Sequence, residues 1–273
     1  MNLTYLQAII LGIVQGAAEF LPISSSGHLI IFQNWMGMDT QGQSYLAFDV
    51  LLHIGTLVSV VVMFWKDIVG LIVAFFKMIW DLITKRKLNL QKSEYRKMVV
   101  MLIIAAVPLV IGAFFEHYLE HFPQFLVGIF LIVTGVLLLL TTKFKNAHKT
   151  LKTANFKDAL VVGVSQLIAI IPGLSRSGTT IFAGVATGLS KEFAVRFSFL
   201  LSLIAILGAA VLSLGDLQGG VVATFGWQAL VGTIVAAIVG MFAIKWLINL
   251  VKKGKFSFLA YYCFLMGILA IIF

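Results

Sequence analysis

Charge is scarce in this sequence: Asp, Glu, Lys and Arg make up 11% of its 273 residues, and apolar residues make up 60%. A soluble domain carries about a quarter charged residues, and a chain without them cannot clothe its surface in polar groups. That shortage excludes a water-soluble globular protein, and lipid must be its solvent. Cysteine is nearly absent as well. The single Cys263 lies in the last apolar run, so no internal disulfide can form. The start of the chain has neither a charged n-region nor a small-residue cleavage site, and Met1 onward reads as structure rather than as a signal peptide.

What charge there is has one dominant sign, 20 Lys and Arg against 11 Asp and Glu, for a net charge of +9. Its distribution argues against nucleic acid as a partner. Fourteen of the basic residues crowd into three short stretches between apolar runs. These are Lys85, Arg86, Lys87, Lys92, Arg96 and Lys97; Lys143, Lys145, Lys149, Lys152 and Lys157; and Lys252, Lys253 and Lys255. Positive residues gathered in short loops mark a cytoplasmic face. The connections near 38–47, 117–123 and 214–225 hold no Lys or Arg and suit the outer face.

Apolar runs of crossing length are expected as helices near 48–65, 98–116, 124–142, 192–213, 226–248 and 256–273. Residues 67–84, with Asp67, Lys77, Trp80 and Asp81, read as an amphipathic helix along the inner interface. Both termini then lie outside. Trp35, Trp65 and Trp80 fall near expected interfaces and read as anchors.

Two segments, 1–37 and 157–189, do not read as plain spans. Each is an apolar helix broken by Pro and a Ser/Gly cluster, and Pro22 and Pro172 are two of only four prolines in the chain. Lipid tolerates broken backbone only where protein buries it or it lines a watery cavity, so each break is a candidate site. The breaks also resemble each other. An offset of 151 lays Gly12, Gln15, Ala18, Ser24, Ser26 and Gly27 on Gly163, Gln166, Ala169, Ser175, Ser177 and Gly178. By the charge rule one hairpin enters from outside and the other from inside, which is the pattern of an inverted repeat with its site at the repeat interface. The expected fold is an all-α polytopic membrane protein of about six transmembrane helices plus two re-entrant hairpins. It forms a single membrane domain, with a first repeat over 1–142 and a second over 157–273.

Ionisable groups inside apolar surroundings need a partner or a task. The first hairpin holds Glu19 and His28, and the second holds Arg176. Gln15 and Glu19 share a helix face. Ser24, Ser25, Ser26 and Gly27 form a turn whose N–H groups and hydroxyls can face an anion. Ser175, Ser177, Thr179 and Thr180 surround the Arg176 guanidinium, a group suited to phosphate. Singly, the serines could be packing residues, His28 a bonded core histidine, and Glu19 with Arg176 a structural pin. Together, at two matched breaks, they describe an anion-handling site that suits a diphosphate.

The run Gln15-Gly16-Ala17-Ala18-Glu19, followed through Pro22 by Ser24-Ser25-Ser26-Gly27-His28, resembles a motif of the bacterial undecaprenyl-diphosphate phosphatases of the bacitracin-resistance type. Pro172-Gly173-Leu174-Ser175-Arg176-Ser177-Gly178-Thr179-Thr180 resembles that family's second motif. The resemblance implies hydrolysis of undecaprenyl diphosphate to undecaprenyl phosphate, which recycles the lipid carrier for peptidoglycan synthesis. It also implies a divalent cation, Mg2+ or Ca2+, and a site open to the outer face of the bacterial cytoplasmic membrane. Glu19, Ser25, His28 and Arg176 match the family's functional residues, with Ser175, Ser177, Thr180, Ser26 and Gly27 as diphosphate contacts. Glu19 and Gln15 are the candidate metal ligands, Gln15 standing where some members carry Glu.

In the mechanism expected from this pattern, Ser25 is the nucleophile and His28 its base; activated water, or His28 itself, is the rival nucleophile. Asp49 and His53, one turn apart, read as polar packing around the first hairpin, with metal binding or shaping of the site's mouth as the other reading. Arg196 reads as a local ion pair with Glu192. The competing class is a transporter of lipid phosphates or anions. Tail length and oligomeric state, a homodimer included, are not written in the sequence.

Overall fold

Thr4 opens the first helix through a capping box: its hydroxyl accepts from the Gln7 N–H, and the Gln7 side chain accepts from the Thr4 N–H. In the computed structural model, which describes residues 3–38, 43–85, 89–113, 122–213 and 221–273, helix α1 runs Tyr5–Phe20 and stops before Pro22. Leu21 is extended (ψ 137°), as a residue before proline is driven to be. Ser24 then takes a φ of 73°, the one positive value at a non-glycine among the described residues. Its hydroxyl accepts from the Gly27 N–H and starts α2, Ser25–Trp35.

The second break is built the same way. An Asn155/Asp158 capping box opens α7, Phe156–Ile168. Pro172 and Gly173 (φ 90°) turn the chain, and the Ser175 hydroxyl accepts from the Gly178 N–H to start α8, Arg176–Ala186. The capping pairs Ser24–Gly27 and Ser175–Gly178 stand 151 residues apart, the offset found in the sequence.

Between and after these hairpins run the long helices: α3 Gln43–Met63, α4 Trp65–Lys85, α5 Glu94–Ala113, α6 Gln124–Lys143, α9 Lys191–Ser213, α10 Val221–Lys252 and α11 Phe256–Ile272. Four stretches among the described residues, Glu94–Gly112, Gln124–Lys143, Lys191–Val211 and Gly226–Lys252, are long and apolar enough to cross a membrane. The pair α3–α4, bent by 86°, supplies up to one more, and α1 and α11 are apolar but shorter. No strand occurs among the described residues beyond an isolated Lys149–Leu189 bridge. The chain is an all-helical, multi-pass membrane protein. Residues 117–121 and 214–220 of the expected outer connections, and Arg86 and Lys87 of the basic loop, lie outside the described residues.

Small residues let the hairpins approach the long helices backbone to backbone, which is how helices pack where lipid supplies no hydrophobic drive. A Cβ at Gly12 of α1 would stand 2.4 Å from the Gly232 carbonyl oxygen of α10, and one at Gly163 of α7 would stand 2.5 Å from that of Ala105 in α5. These two glycines are again 151 apart. Helix α4 buries Ala74 and Met78 against Val99 of α5 and leaves Ile72, Phe76, Trp80 and Ile83 exposed. At its start Asp67 accepts both Nε and Nη2 of Arg196, with Tyr95 donating to it at 3.2 Å. This corrects the expected Arg196–Glu192 pair. The sharp α3–α4 bend delivers Asp67 to α9, and a two-point carboxylate contact outcompetes a neighbour one turn away.

Gly163→Val should cost about 1–3 kcal/mol or more by overpacking the α7–α5 contact, read as a lower melting temperature in detergent. Unchanged melting would mean that the contact is looser than this backbone approach implies.

Candidate active site

The two breaks meet. The Ser177 hydroxyl donates to the Leu21 carbonyl at 3.4 Å. A Cβ on Gly27 would lie 3.1 Å from the Gly173 Cα, and one on Gly178 would lie 3.4 Å from the Pro22 Cβ. Thr134 of α6 buttresses the second break from behind, donating to the Gly173 carbonyl at 3.1 Å and accepting from the Ser175 N–H at 3.0 Å.

Glu19 lies at this junction, its side chain 5% exposed. Its Oε2 accepts from the Ser25 hydroxyl at 2.6 Å and from Gln15 Nε2 at 3.0 Å, with His53 Nε2 at 3.5 Å. Its Oε1 lies 3.7 Å from Nη1 of Arg176, whose side chain is 35% exposed. An ionised carboxylate accepts hydrogen bonds only; here they fall on Oε2, while Oε1 faces the guanidinium without one. The arrangement can draw a proton from Ser25 while an open guanidinium beside it receives an anion. Glu19, Ser25, Gln15 and Arg176 are therefore brought together as the sequence suggests.

His28 is placed differently. Its Nδ1 is 2.8 Å from the Ser24 carbonyl and its Nε2 is 2.9 Å from the Tyr262 hydroxyl, with the rings stacked at 11°. A carbonyl only accepts, so Nδ1 carries a proton, and in the neutral ring Nε2 accepts from Tyr262. Both nitrogens are thus engaged away from Ser25, and the group that meets the Ser25 hydroxyl is the Glu19 carboxylate. The expected pairing of Ser25 with His28 is corrected: His28 points into α11 because the Ser24 carbonyl and Tyr262 satisfy it there.

The remaining candidates divide. Ser26 is exposed at the opening of α2. Ser175 and Gly27 shape the breaks through capping and close approach. The Thr180 hydroxyl lies 2.7 Å from the Ser198 hydroxyl of α9 and donates to the Arg176 carbonyl, so it secures the α8–α9 contact. His53 stands on the carboxylate itself, while Asp49 accepts from Gln33 Nε2 at 2.9 Å. Sequence reasoning missed Tyr262 and Thr134 altogether, since both sit in apolar runs with nothing local to mark them. For His53 the signal was the polar pair Asp49 and His53 inside an otherwise apolar helix.

Among the described residues, four buried side-chain atoms have no hydrogen-bond partner: Gln15 Oε1, Gln166 Nε2, Arg176 Nη1 and Thr179 Oγ1. All four lie on the two hairpins, where buried polar groups are ordinarily paired. No group of three or more His, Cys, Asp or Glu that could hold a metal ion occurs among the described residues.

A family model described as bacitracin resistance protein BacA matches residues 8–269. The chain belongs to that family. Relatives in it extend over nearly the whole length. A protein of Methanobrevibacter smithii named undecaprenyl-diphosphatase is 44% identical over 270 residues, spanning 97% of this chain and 95% of that one. Proteins of the same name from Halothermothrix orenii and Methanosphaera stadtmanae are each 41% identical, spanning 97% and 99% of this chain and 96% and 98% of theirs.

Tyr262→Phe leaves His28 Nε2 buried without a partner, which should lower stability by about 1–3 kcal/mol. Thermal melting in detergent reads this directly, and an unshifted curve would remove Tyr262 as the brace of His28.

Proposed function

We propose that this protein hydrolyses undecaprenyl diphosphate to undecaprenyl phosphate and inorganic phosphate, recycling the lipid carrier for peptidoglycan synthesis and so conferring bacitracin resistance. The observation that carries the reading is the Ser25–Glu19–Arg176 cluster at the meeting of two helix breaks, in a chain whose family relatives are named for this activity.

The geometry supports the following chemistry. Arg176 meets the diphosphate and offsets the charge that gathers on the terminal phosphoryl oxygens. Ser25 Oγ attacks the terminal phosphorus as its proton passes to Glu19 Oε2, 2.6 Å away. The bond from that phosphorus to the bridging oxygen breaks, and undecaprenyl phosphate leaves with the electron pair. Water then attacks the phosphoserine. The P–Oγ bond breaks, Glu19 returns its proton to Oγ, and the water oxygen departs in inorganic phosphate with one proton, the other going to solvent.

The residues fit a divalent cation, Mg2+ or Ca2+. Such ions take oxygen ligands, and the unpartnered Gln15 Oε1 lies on the residue that bonds to Glu19. Glu19 and Gln15 would hold it, with phosphate oxygens and water completing the shell in place of a cage of protein carboxylates. When bound, the ion adds positive charge against the diphosphate oxygens.

The same reading extends to topology: six crossings, hairpins 1–37 and 157–189 re-entrant, both termini outside, and the site facing the outer side of the bacterial cytoplasmic membrane. The basic loops support the orientation. The repeated caps and the paired Gly12 and Gly163 contacts support an inverted repeat over 1–142 and 157–273.

Phosphate release from a detergent-soluble polyprenyl diphosphate, with and without Mg2+ or Ca2+, is the test. Arg176→Ala should lower kcat by about 10²- to 10³-fold, and Ser25→Ala by roughly 10³-fold or more. Near-normal turnover in Ser25→Ala would transfer the attack to water. No release from folded wild type with either cation would turn the reading to a lipid-phosphate or anion transporter.

A further inference from the structure

We infer that Thr134 of α6 is a positioning residue for Arg176: its hydroxyl fixes the turn from which the guanidinium is presented to the terminal phosphate. The inference deepens the phosphatase reading of this site and rests on it.

A threonine inside a helix commonly turns its hydroxyl back to a carbonyl three or four residues earlier. Farther along α6, Thr141 and Thr142 do so at the Leu137 and Leu139 carbonyls, and on α10 Thr233 does so at Ala229. Thr134, fully buried, does not. Its hydroxyl leaves the helix, donating to the Gly173 carbonyl at 3.1 Å and accepting from the Ser175 N–H at 3.0 Å. The donor and a lone pair are both spent on the two peptide groups that flank Leu174. The turn is also pressed against α6, since a Cβ at Gly173 would stand 2.4 Å from the Val127 carbonyl oxygen.

Arg176 follows directly as the first residue of α8. Among the described residues its guanidinium has one partner, Glu19 Oε1 at 3.7 Å, and Nη1 makes no hydrogen bond. Side-chain contacts therefore do not lock the guanidinium, and its place is decided by the backbone that carries it. The first break has a looser tether at the same register. There the carbonyl of Pro22, 151 residues before Gly173, meets the Cys263 thiol of α11 at 3.8 Å, and a thiol is a weak donor. The two-bonded tether thus lies at the break whose next residue is the arginine. Without the Thr134 hydroxyl, the Gly173 carbonyl and the Ser175 N–H are left unpaired away from water, which is costly. The turn then shifts to find partners and carries Arg176 with it.

The test compares wild type, Thr134→Val and Thr134→Ser for phosphate release from a polyprenyl diphosphate, expressed per folded molecule. Valine keeps the shape of threonine and lacks the hydroxyl. Misplacing the guanidinium should lower kcat/KM in Thr134→Val by about 10- to 100-fold. Thr134→Ser keeps the hydroxyl and should stay within about threefold of wild type. On an Arg176→Ala background, Thr134→Val should cause no further loss, since it acts through the guanidinium. A threonine that only braced the fold would lower the melting temperature and leave turnover per folded molecule unchanged.

Equal impairment of the Ser and Val variants, or a loss that persists undiminished with Arg176→Ala, would overturn the inference. If Thr134→Val does not survive extraction, Thr134→Ala removes the hydroxyl with less bulk and puts the same question. Wild type without phosphate release overturns the phosphatase reading itself. An active wild type with an unaffected Thr134→Val overturns only the role of Thr134.

Discussion

A single carboxylate buried between two interrupted helices sets the terms for everything around it. An isolated ionised group is very costly away from water unless it is paired and hydrogen-bonded. Glu19 is reached by Gln15 and Ser25 from its own hairpin, His53 from α3 and Arg176 from α8. To bring those partners within range, both hairpins must break at the same place and lie close. The rest of the fold provides that: glycine contacts seat α1 on α10 and α7 on α5, and Thr134 supports the second break from α6.

The two hairpins share their construction and differ in their chemistry. At the 151-residue offset, Ser24 and Ser175 cap alike, and Gln15 and Gln166 are both buried. Yet the partner position of Glu19 is Ile170, and that of Ser25 is Arg176. The first hairpin has become the side of the acid and the hydroxyl, and the second the side of the cation.

Much of this could be read from the chain before its shape was known. Proline followed by Ser/Gly in apolar surroundings marked both breaks, and the helices near 98–116, 124–142 and 192–213 appear as Glu94–Ala113, Gln124–Lys143 and Lys191–Ser213. Charged groups at the breaks pointed to Glu19 and Arg176, because an ionisable side chain in an apolar run has to be explained. What could not be read was which partner each group finds. Sequence favours neighbours one turn away, so Arg196 was matched to Glu192, whereas the 86° bend at α4 brings Asp67 across 129 residues. His28 looked available to Ser25, three residues off. Its actual partner, Tyr262, is 234 residues away in a helix whose apolar sequence gives no sign of it.

The stitching of the breaks has a consequence for how the protein comes into being. Leu21 and Pro22 receive Ser177 and Gly178, and Glu19 receives Arg176. A ribosome that has made only the first hairpin has therefore made the acid and the hydroxyl without the arginine that faces them. Until more than 150 further residues have followed, Glu19 has only Gln15, Ser25 and His53 to meet it. The cluster at the breaks is therefore completed late in synthesis, by the residue that brings the facing charge.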